Sequence, residues 1–350
     1  MNELNCLTVS PFTNTVCLSG KWPAPTSACR PGGVSTPWQI ELSVQRAASA
    51  LGRVFLQEDI NFLLTNRIPR RYATLAAGWV GRIRHRGFTR LCVKTWSLFD
   101  DLRLHEAQTR DFASLQECFV RKLRADVRPI DSDPCAITSP CDAEIGAFGD
   151  VQDACAIQAK GFPYNLKDLL HDDALVERHR HGKFVTLRLR ACMYHRFHSP
   201  TDGTIQRVIY ISGDTWNVNP IALKRVENLF CKNERAVIPM ELGPAGGFLT
   251  LVPIAAILVA SIKLHFVPAA LNLHHRGVRE IVCDANVIKG DELGYFENGS
   301  TILIFAPRDF EFSKNVAEGA TIRVGQALFH WSRAISMPQE ERHEQSESGT

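Results

Sequence analysis

No stretch of this chain is long and apolar enough to cross a bilayer as a helix. The most apolar run, 248–262, covers 15 residues and is broken by Thr250, Pro253 and Ser261, whereas a spanning helix needs roughly 20. It reads instead as buried strands joined by a turn. The first ten residues lack the positive segment and apolar core of a secretory leader. There is no Cys-x-x-Cys pair, and the 11 cysteines are scattered. That pattern excludes a zinc ribbon and argues against a secreted disulfide framework. It favours reduced, mostly buried thiols and the cytosolic side. His274-His275 and His179-x-His181 have no matching carboxylates or cysteines and read as surface pairs, so no metal is expected. Neither sign of charge prevails: 40 Lys and Arg against 37 Asp and Glu leave +3. With no nucleic-acid motif beside that balance, nucleic acid is not an expected partner.

What the chain does have is unevenly placed. Residues 1–35 are rich in Ser, Thr, Pro and Gly without periodicity, and disorder is expected there. Thr36-Pro37-Trp38-Gln39 looks like a helix start, with a capping threonine and a proline at the first helical position. Residues 38–120 read as helices, including one near 72–83, one near 90–99 and a start at Ser114-Leu115-Gln116-Glu117. After Asp131 the texture changes to short, β-branched, turn-punctuated segments such as 184–189 and 208–212. The expected class is α+β: a helical membrane-associating region over 36–130, then a β-rich domain over 131–338 with barrel- or sandwich-like sheets. A polar tail, 339–350, follows.

Between Arg67 and Arg90 lie seven arginines and no Asp or Glu. Arg67, Arg70, Arg71, Arg82, Arg84 and Arg86, interleaved with Trp79 and aliphatic residues, have the composition of a helix lying in an anionic bilayer interface. Each basic residue near such a surface contributes about 1 kcal/mol. A solvated basic face over an ordinary packing surface is the alternative reading.

Near the C-terminus, Gly299-Ser300-Thr301 precedes a β-rich run. Glycine gives the backbone freedom, and a serine placed after it can attack the carbonyl just upstream. Taken alone, the step is a turn entering a strand. Other blocks accompany it in order: Phe119-Val120-Arg121, Val127-Arg128-Pro129-Ile130-Asp131, Ser139-Pro140-Cys141-Asp142, Gln158-Ala159-Lys160-Gly161, Tyr194-His195-Arg196-Phe197-His198-Ser199-Pro200, Asn219-Pro220 and Asn233-Glu234-Arg235. With these blocks, the chain from about residue 58 onward resembles the bacterial-type phosphatidylserine decarboxylase family. Asn298, Ala255 and Ala260 depart from the family pattern.

The resemblance implies a proenzyme cut between Gly299 and Ser300 into a β chain, 1–299, and an α chain, 300–350. Ser300 would become a covalent pyruvoyl group. Asp142, His198 and Ser300 would form the self-cleavage relay, with Asp142 fixing the imidazole tautomer and His198 taking the hydroxyl proton. His195 would serve decarboxylation. The pyruvoyl ketone would form a Schiff base with the amine of phosphatidylserine, yielding phosphatidylethanolamine and carbon dioxide at the cytoplasmic face of the membrane. A homodimer is left open. So are the same chemistry on another aminoacyl lipid or a soluble amino acid, and a noncatalytic biotinyl- or lipoyl-like module, which the segments 287–292 and 318–328 resemble.

Overall fold

The computed structural model describes residues 70–159, 162–242, 247–256, 261–267, 271–272, 277–297 and 300–331. Arg67, the segment 1–35, the helix start at Thr36, Asn298, Gly299, Ala260, His274-His275 and the tail 339–350 lie outside them, as do the side chains of Arg70 and Arg71.

Helices come first. α1 (Arg70–Gly81) and α2 (Arg86–Trp96) occupy the two arginine-rich segments. The His85 ring caps α2 by accepting the Phe88 N–H. α3 (Leu115–Phe119) begins where Ser114 and Glu117 forecast it. The Ser114 hydroxyl accepts the Glu117 N–H, and the Glu117 carboxylate reaches back to the Ala113 N–H. Each bond satisfies a backbone donor near the helix start.

Strands then dominate. β1 (Ala136–Thr138), β2 (Ala143–Asp150), β3 (Cys155–Ala159) and β4 (Phe162–Asn165) lead into two short helices, α4 (Leu166–Leu170) and α5 (Asp173–His179). β5 (Lys183–Leu189), β6 (Arg196–His198) and β7 (Gly203–Ile211) follow, then α6 (Pro220–Leu223) and α7 (Leu229–Lys232). The remainder is β8 (Arg235–Leu242), β9 (Phe248–Ala255), β10 (Ser261–Leu264), β11 (Leu271–Asn272), β12 (Val278–Val287), β13 (Glu292–Phe296), β14 (Ser300–Ala306), β15 (Phe310–Phe312), β16 (Thr321–Ile322) and β17 (Ala327–Trp331).

The main sheet runs β12-β7-β8-β9-β14-β5-β2-β16, with smaller sheets β11-β10-β13-β6 and β1-β17-β15 and the hairpin β3-β4. The class is mixed helix and strand, rich in strand, as expected. None of the sheets closes into a barrel among the described residues, which corrects the barrel part of the expectation. Closure would require the two outer strands of the main sheet to pair, but β16 has two residues and β12 is largely exposed. No helix among the described residues is long and apolar enough to span a membrane.

Every residue of β9 and β14 is buried. Strands covered on both faces lose the alternation that marks a half-buried strand, and β14, paired with β5 and β9, is the deepest. His179 belongs to this core rather than to the surface pair expected of it. It is fully buried, its Nε2 lies 2.8 Å from Thr250 Oγ1, and the rings of Phe248 and Phe305 flank it.

Candidate functional site

Ser300 opens β14, in register with Leu189 of β5 and Ala255 of β9. It is fully buried, and its Oγ has no hydrogen-bond partner among the described residues. Leaving a buried hydroxyl unpaired costs about 1–3 kcal/mol, so the position is poor as mere structure. The residue borders a cavity of about 540 Å³, walled also by Gln116, Phe119, Asn217, Asn219 and Glu297 and by the inner face of α1 at Ala77 and Gly78. Just upstream, the Glu297 carboxylate accepts hydrogen bonds from Gln116 Nε2 at 2.7 Å and Arg82 Nη2 at 3.0 Å. Side chains from the helical segment thus grip the strand end that leads to the serine.

His195 and His198 diverge, as residues three apart in extended backbone do. The fully buried His195 ring lies edge-on to Phe119, with ring centroids 5.5 Å apart. Neither ring nitrogen completes a hydrogen bond, although the Met193 backbone offers a weak one. Burial, reinforced by the nearby Arg121 guanidinium, pushes its pKa down to about 3, so the ring is neutral at neutral pH. Arg121 itself is buried and donates to the carbonyls of Leu102, Cys118, Cys192 and Met193, fixing the turn that delivers His195.

His198 sits at the end of β6. Its Nδ1 is 2.8 Å from the Gly290 carbonyl oxygen and its Nε2 is 3.1 Å from the Tyr194 hydroxyl. Burial lowers its pKa, while the Gly290 carbonyl, Glu292 and Asp142 pull the other way. Asp142 is held elsewhere. Arg128 Nε donates to its two oxygens at 2.9 and 3.1 Å, and the Val324 N–H donates to Oδ1 at 3.0 Å. Arg128 also pairs with Glu106 at 2.7 Å. The structure therefore joins no two of Asp142, His198 and Ser300 by a direct hydrogen bond. It is the Gly290 carbonyl, not Asp142, that sets the imidazole tautomer here.

The basic cluster differs from its sequence appearance. Carboxylates distant in sequence face it: Arg82 pairs with Glu297 at 3.0 Å, Arg84 with Glu117 at 3.3 Å, and Arg86 and Arg90 with Asp111 at 3.0 and 3.1 Å. Beside these arginines, each more than half exposed, apolar side chains also stand uncovered. Tyr72, Leu75 and Trp79 lie on one face of α1, and Leu91, Leu98 and Phe99 are exposed in or just after α2; Tyr72 and Trp79 are 75% and 70% exposed. Residues at i, i+3 and i+7 form a single helical stripe.

The buried histidines also carry a stability consequence. His179 and His195 have native pKa values pushed down to about 3 by burial, below the unfolded value of about 6.5. The unfolded chain therefore takes up these protons first. Their contribution is intact above about pH 6.5 and is lost as the pH falls towards 3. Lowering the pH from 7 to 5 is expected to reduce the unfolding free energy by up to about 2 kcal/mol per histidine. Urea titrations of the Ser300→Ala chain at the two pH values check this; equal midpoints with equal slopes would contradict it.

Several residues of the site were not singled out from sequence. Arg128 and Tyr194 sit inside quoted blocks, but nothing local marks their partners. Gln116 and Glu297 are 181 positions apart, so only the fold brings them together. Gly290 carried a usable signal, standing in the turn Lys289-Gly290-Asp291 with φ of +93°, where a glycine is favoured.

The chain is similar to known proteins over most of its length. The family model described as phosphatidylserine decarboxylase matches residues 115–330. A phosphatidylserine decarboxylase proenzyme of Histophilus somni (strain 129Pt) is 32% identical over 270 residues, covering 75% of this chain and 91% of the relative. One from Vibrio cholerae (O395) is 36% identical over 277 residues, covering 75% and 95%. One from Aliivibrio fischeri (ES114) is 31% identical over 291 residues, covering 79% and 99%.

Proposed function

Because this chain belongs to the phosphatidylserine decarboxylase family, we propose that it is a proenzyme. In this reading it breaks itself between Gly299 and Ser300 and then converts phosphatidylserine to phosphatidylethanolamine and carbon dioxide. The observation that carries this reading is the Ser300 hydroxyl, buried, without a partner and on the wall of a cavity.

In the self-cleavage, Ser300 Oγ attacks the Gly299 carbonyl carbon and gives its proton to His198. The amide bond breaks as the ester forms. β-Elimination releases the Gly299 carboxylate, and hydrolysis of the remaining dehydroalanine releases ammonia and leaves a pyruvoyl ketone at residue 300. The site fits such a group, since the serine it derives from already adjoins a cavity of about 540 Å³. The ketone supplies an electron sink for the bond to the departing carboxylate.

The chain's own side chains do the rest. His195 is buried and neutral at rest, so to deliver the proton that replaces the carboxylate on the substrate carbon it first takes one up in the filled site. Phe119 and the inner face of α1 give the cavity beside Ser300 an apolar wall. Denaturing mass spectrometry tests the reading. The expected result is two chains, 1–299 and 300–350, the smaller with a blocked N-terminus that a carbonyl reagent traps. A single intact chain with no trappable carbonyl overturns it.

Membrane contact follows from the same region. α1 presents the apolar stripe Tyr72, Leu75 and Trp79 outward and lines the cavity with its inner face. A lipid lying in the interface would therefore meet the mouth of the site, and the protein would sit as a peripheral protein on the cytoplasmic side. The described cysteines are all free thiols. Full burial of one such apolar side chain is worth about 1.5–3 kcal/mol. Tyr72→Ser, Leu75→Ser and Trp79→Ser together are expected to weaken binding to phosphatidylserine vesicles at least about 100-fold. Arg82→Gln, Arg84→Gln and Arg86→Gln should weaken it less, because those arginines already have carboxylate partners. Sedimentation with vesicles measures both, and equal binding by the apolar triple variant and the parent would remove the docking face.

A further inference from the structure

We propose that Tyr194 is a positioning residue for self-cleavage: its hydroxyl holds Nε2 of His198 while the Gly290 carbonyl holds Nδ1, keeping one neutral tautomer in one orientation.

The tautomer follows from the partners. A backbone carbonyl can only accept, so the His198 nitrogen 2.8 Å from Gly290 O carries the hydrogen. In a neutral ring the lone pair then lies on Nε2, and the Tyr194 hydroxyl, 3.1 Å away, donates to it. The two rings are nearly parallel, at 29° with centroids 5.8 Å apart, so the phenol also limits rotation of the imidazole. Gly290 is built for its part. Its φ of +93° suits glycine, and an added Cβ would come within 3.0 Å of Ile130 Cγ1. Its N–H is fixed on the Ser199 carbonyl.

Asp142 cannot do this work in the observed arrangement, because Arg128 and the Val324 N–H occupy its oxygens. It acts on His198 as a nearby charge. Tyr194, Asp142 and Arg128 border one polar cavity of about 150 Å³, which shares Asp100 and Arg190 as wall residues with the cavity at Ser300. The charged groups facing His198 are Glu292 on β13, Asp142 in the turn before β2 and Arg196 on β6. Of the groups around the ring, Tyr194 is the one that bonds to the lone pair itself. A hydroxyl donating there stabilises the unprotonated ring, so the base remains ready to receive the serine proton once the phenol yields its place.

The two supports predict opposite pH effects. Tyr194→Phe removes a donor to the neutral ring, so His198 holds a proton to higher pH. The acidic limb of the cleavage-rate profile should move up by about half a pH unit to one unit, the shift that loss of one neutral hydrogen bond gives, with the rate falling most at the acid end. Asp142→Asn removes a negative charge and leaves Arg128 with Glu106 as its carboxylate partner. Its limb should move down.

The experiment is cell-free synthesis of the full chain, following conversion to 1–299 and 300–350 between pH 5.5 and 9. Wild-type rate with an unmoved limb in Tyr194→Phe overturns the proposal. So does a slower rate with an unmoved limb, which is what loss of packing alone would give. Equal melting of Ser300→Ala and Ser300→Ala/Tyr194→Phe supports the assignment by excluding a folding defect. If the double variant melts lower, the direction of the limb shift decides. The inference rests on the self-cleavage proposed above, and the outcomes separate: an uncleaved parent chain overturns that reading, whereas a Tyr194→Phe chain that cleaves like its parent overturns only this one.

Discussion

Ser300→Ala is expected to give one unbroken chain of 350 residues with no carbonyl to trap and no decarboxylation. The loss should be complete rather than partial, because both the break and the electrophile come from the same hydroxyl. The substitution is also mild. It removes one buried oxygen that has no hydrogen-bond partner, so the fold should be unaffected or slightly more stable, by about 1 kcal/mol. That combination makes the result readable: a well-folded protein, unchanged in melting or raised a little, that never matures. A two-chain product from this variant would mean that another group cuts the chain. Cleavage without a trappable carbonyl in the parent would mean that the serine ester is hydrolysed instead of eliminated.

His195→Ala should part company with Ser300→Ala at the second step. Cleavage is expected to proceed, since His195 lies against Phe119 while the nitrogens of His198 are held by Gly290 and Tyr194. Turnover of phosphatidylserine by the cleaved enzyme is expected to fall about 10²–10⁴-fold, the usual contribution of a positioned acid or base. The alanine also leaves a hole beside Phe119 and Arg121, so His195→Gln is the better control, close in size and able to hydrogen-bond but unable to exchange a proton near neutral pH. If the glutamine variant turns over normally, His195 shapes the pocket without moving a proton. If both variants also fail to cleave, the two histidines do not divide the labour.

Much of this was legible before the fold was known, for physical reasons that differ by element. α3 announced itself because its cap is local: Ser114 and Glu117 are three residues apart and bond within that turn. β5 and β7 were marked by β-branched and aromatic residues at strand spacing. Ser300 stood out because a glycine and a serine ahead of a strand have a chemistry of their own. The two histidines could be named but not placed, since their divergence depends on how extended the chain is between them. Long-range pairing was hidden altogether. The stretch holding Arg82, Arg84 and Arg86 has no acidic residue of its own, and its carboxylates come from Glu297, Glu117 and Asp111. The partner of Asp142 was equally invisible, because Arg128 meets it only after the turn before β2 has closed.

The placement of β14 has one more consequence. Residues 300–306 run between β5 and β9, β15 and β17 assemble with β1, and β16 pairs with β2. The proposed smaller fragment would thus be woven through the larger one, so a cut before residue 300 would be a nick that frees an end without releasing a piece. Before such a nick, refolding would be a search by a single molecule. Afterwards recovery requires two strangers to meet, each with a sheet missing strands. The proposed maturation would therefore leave a fold that has to be kept, and it would make order of events obligatory: assembly first, scission second.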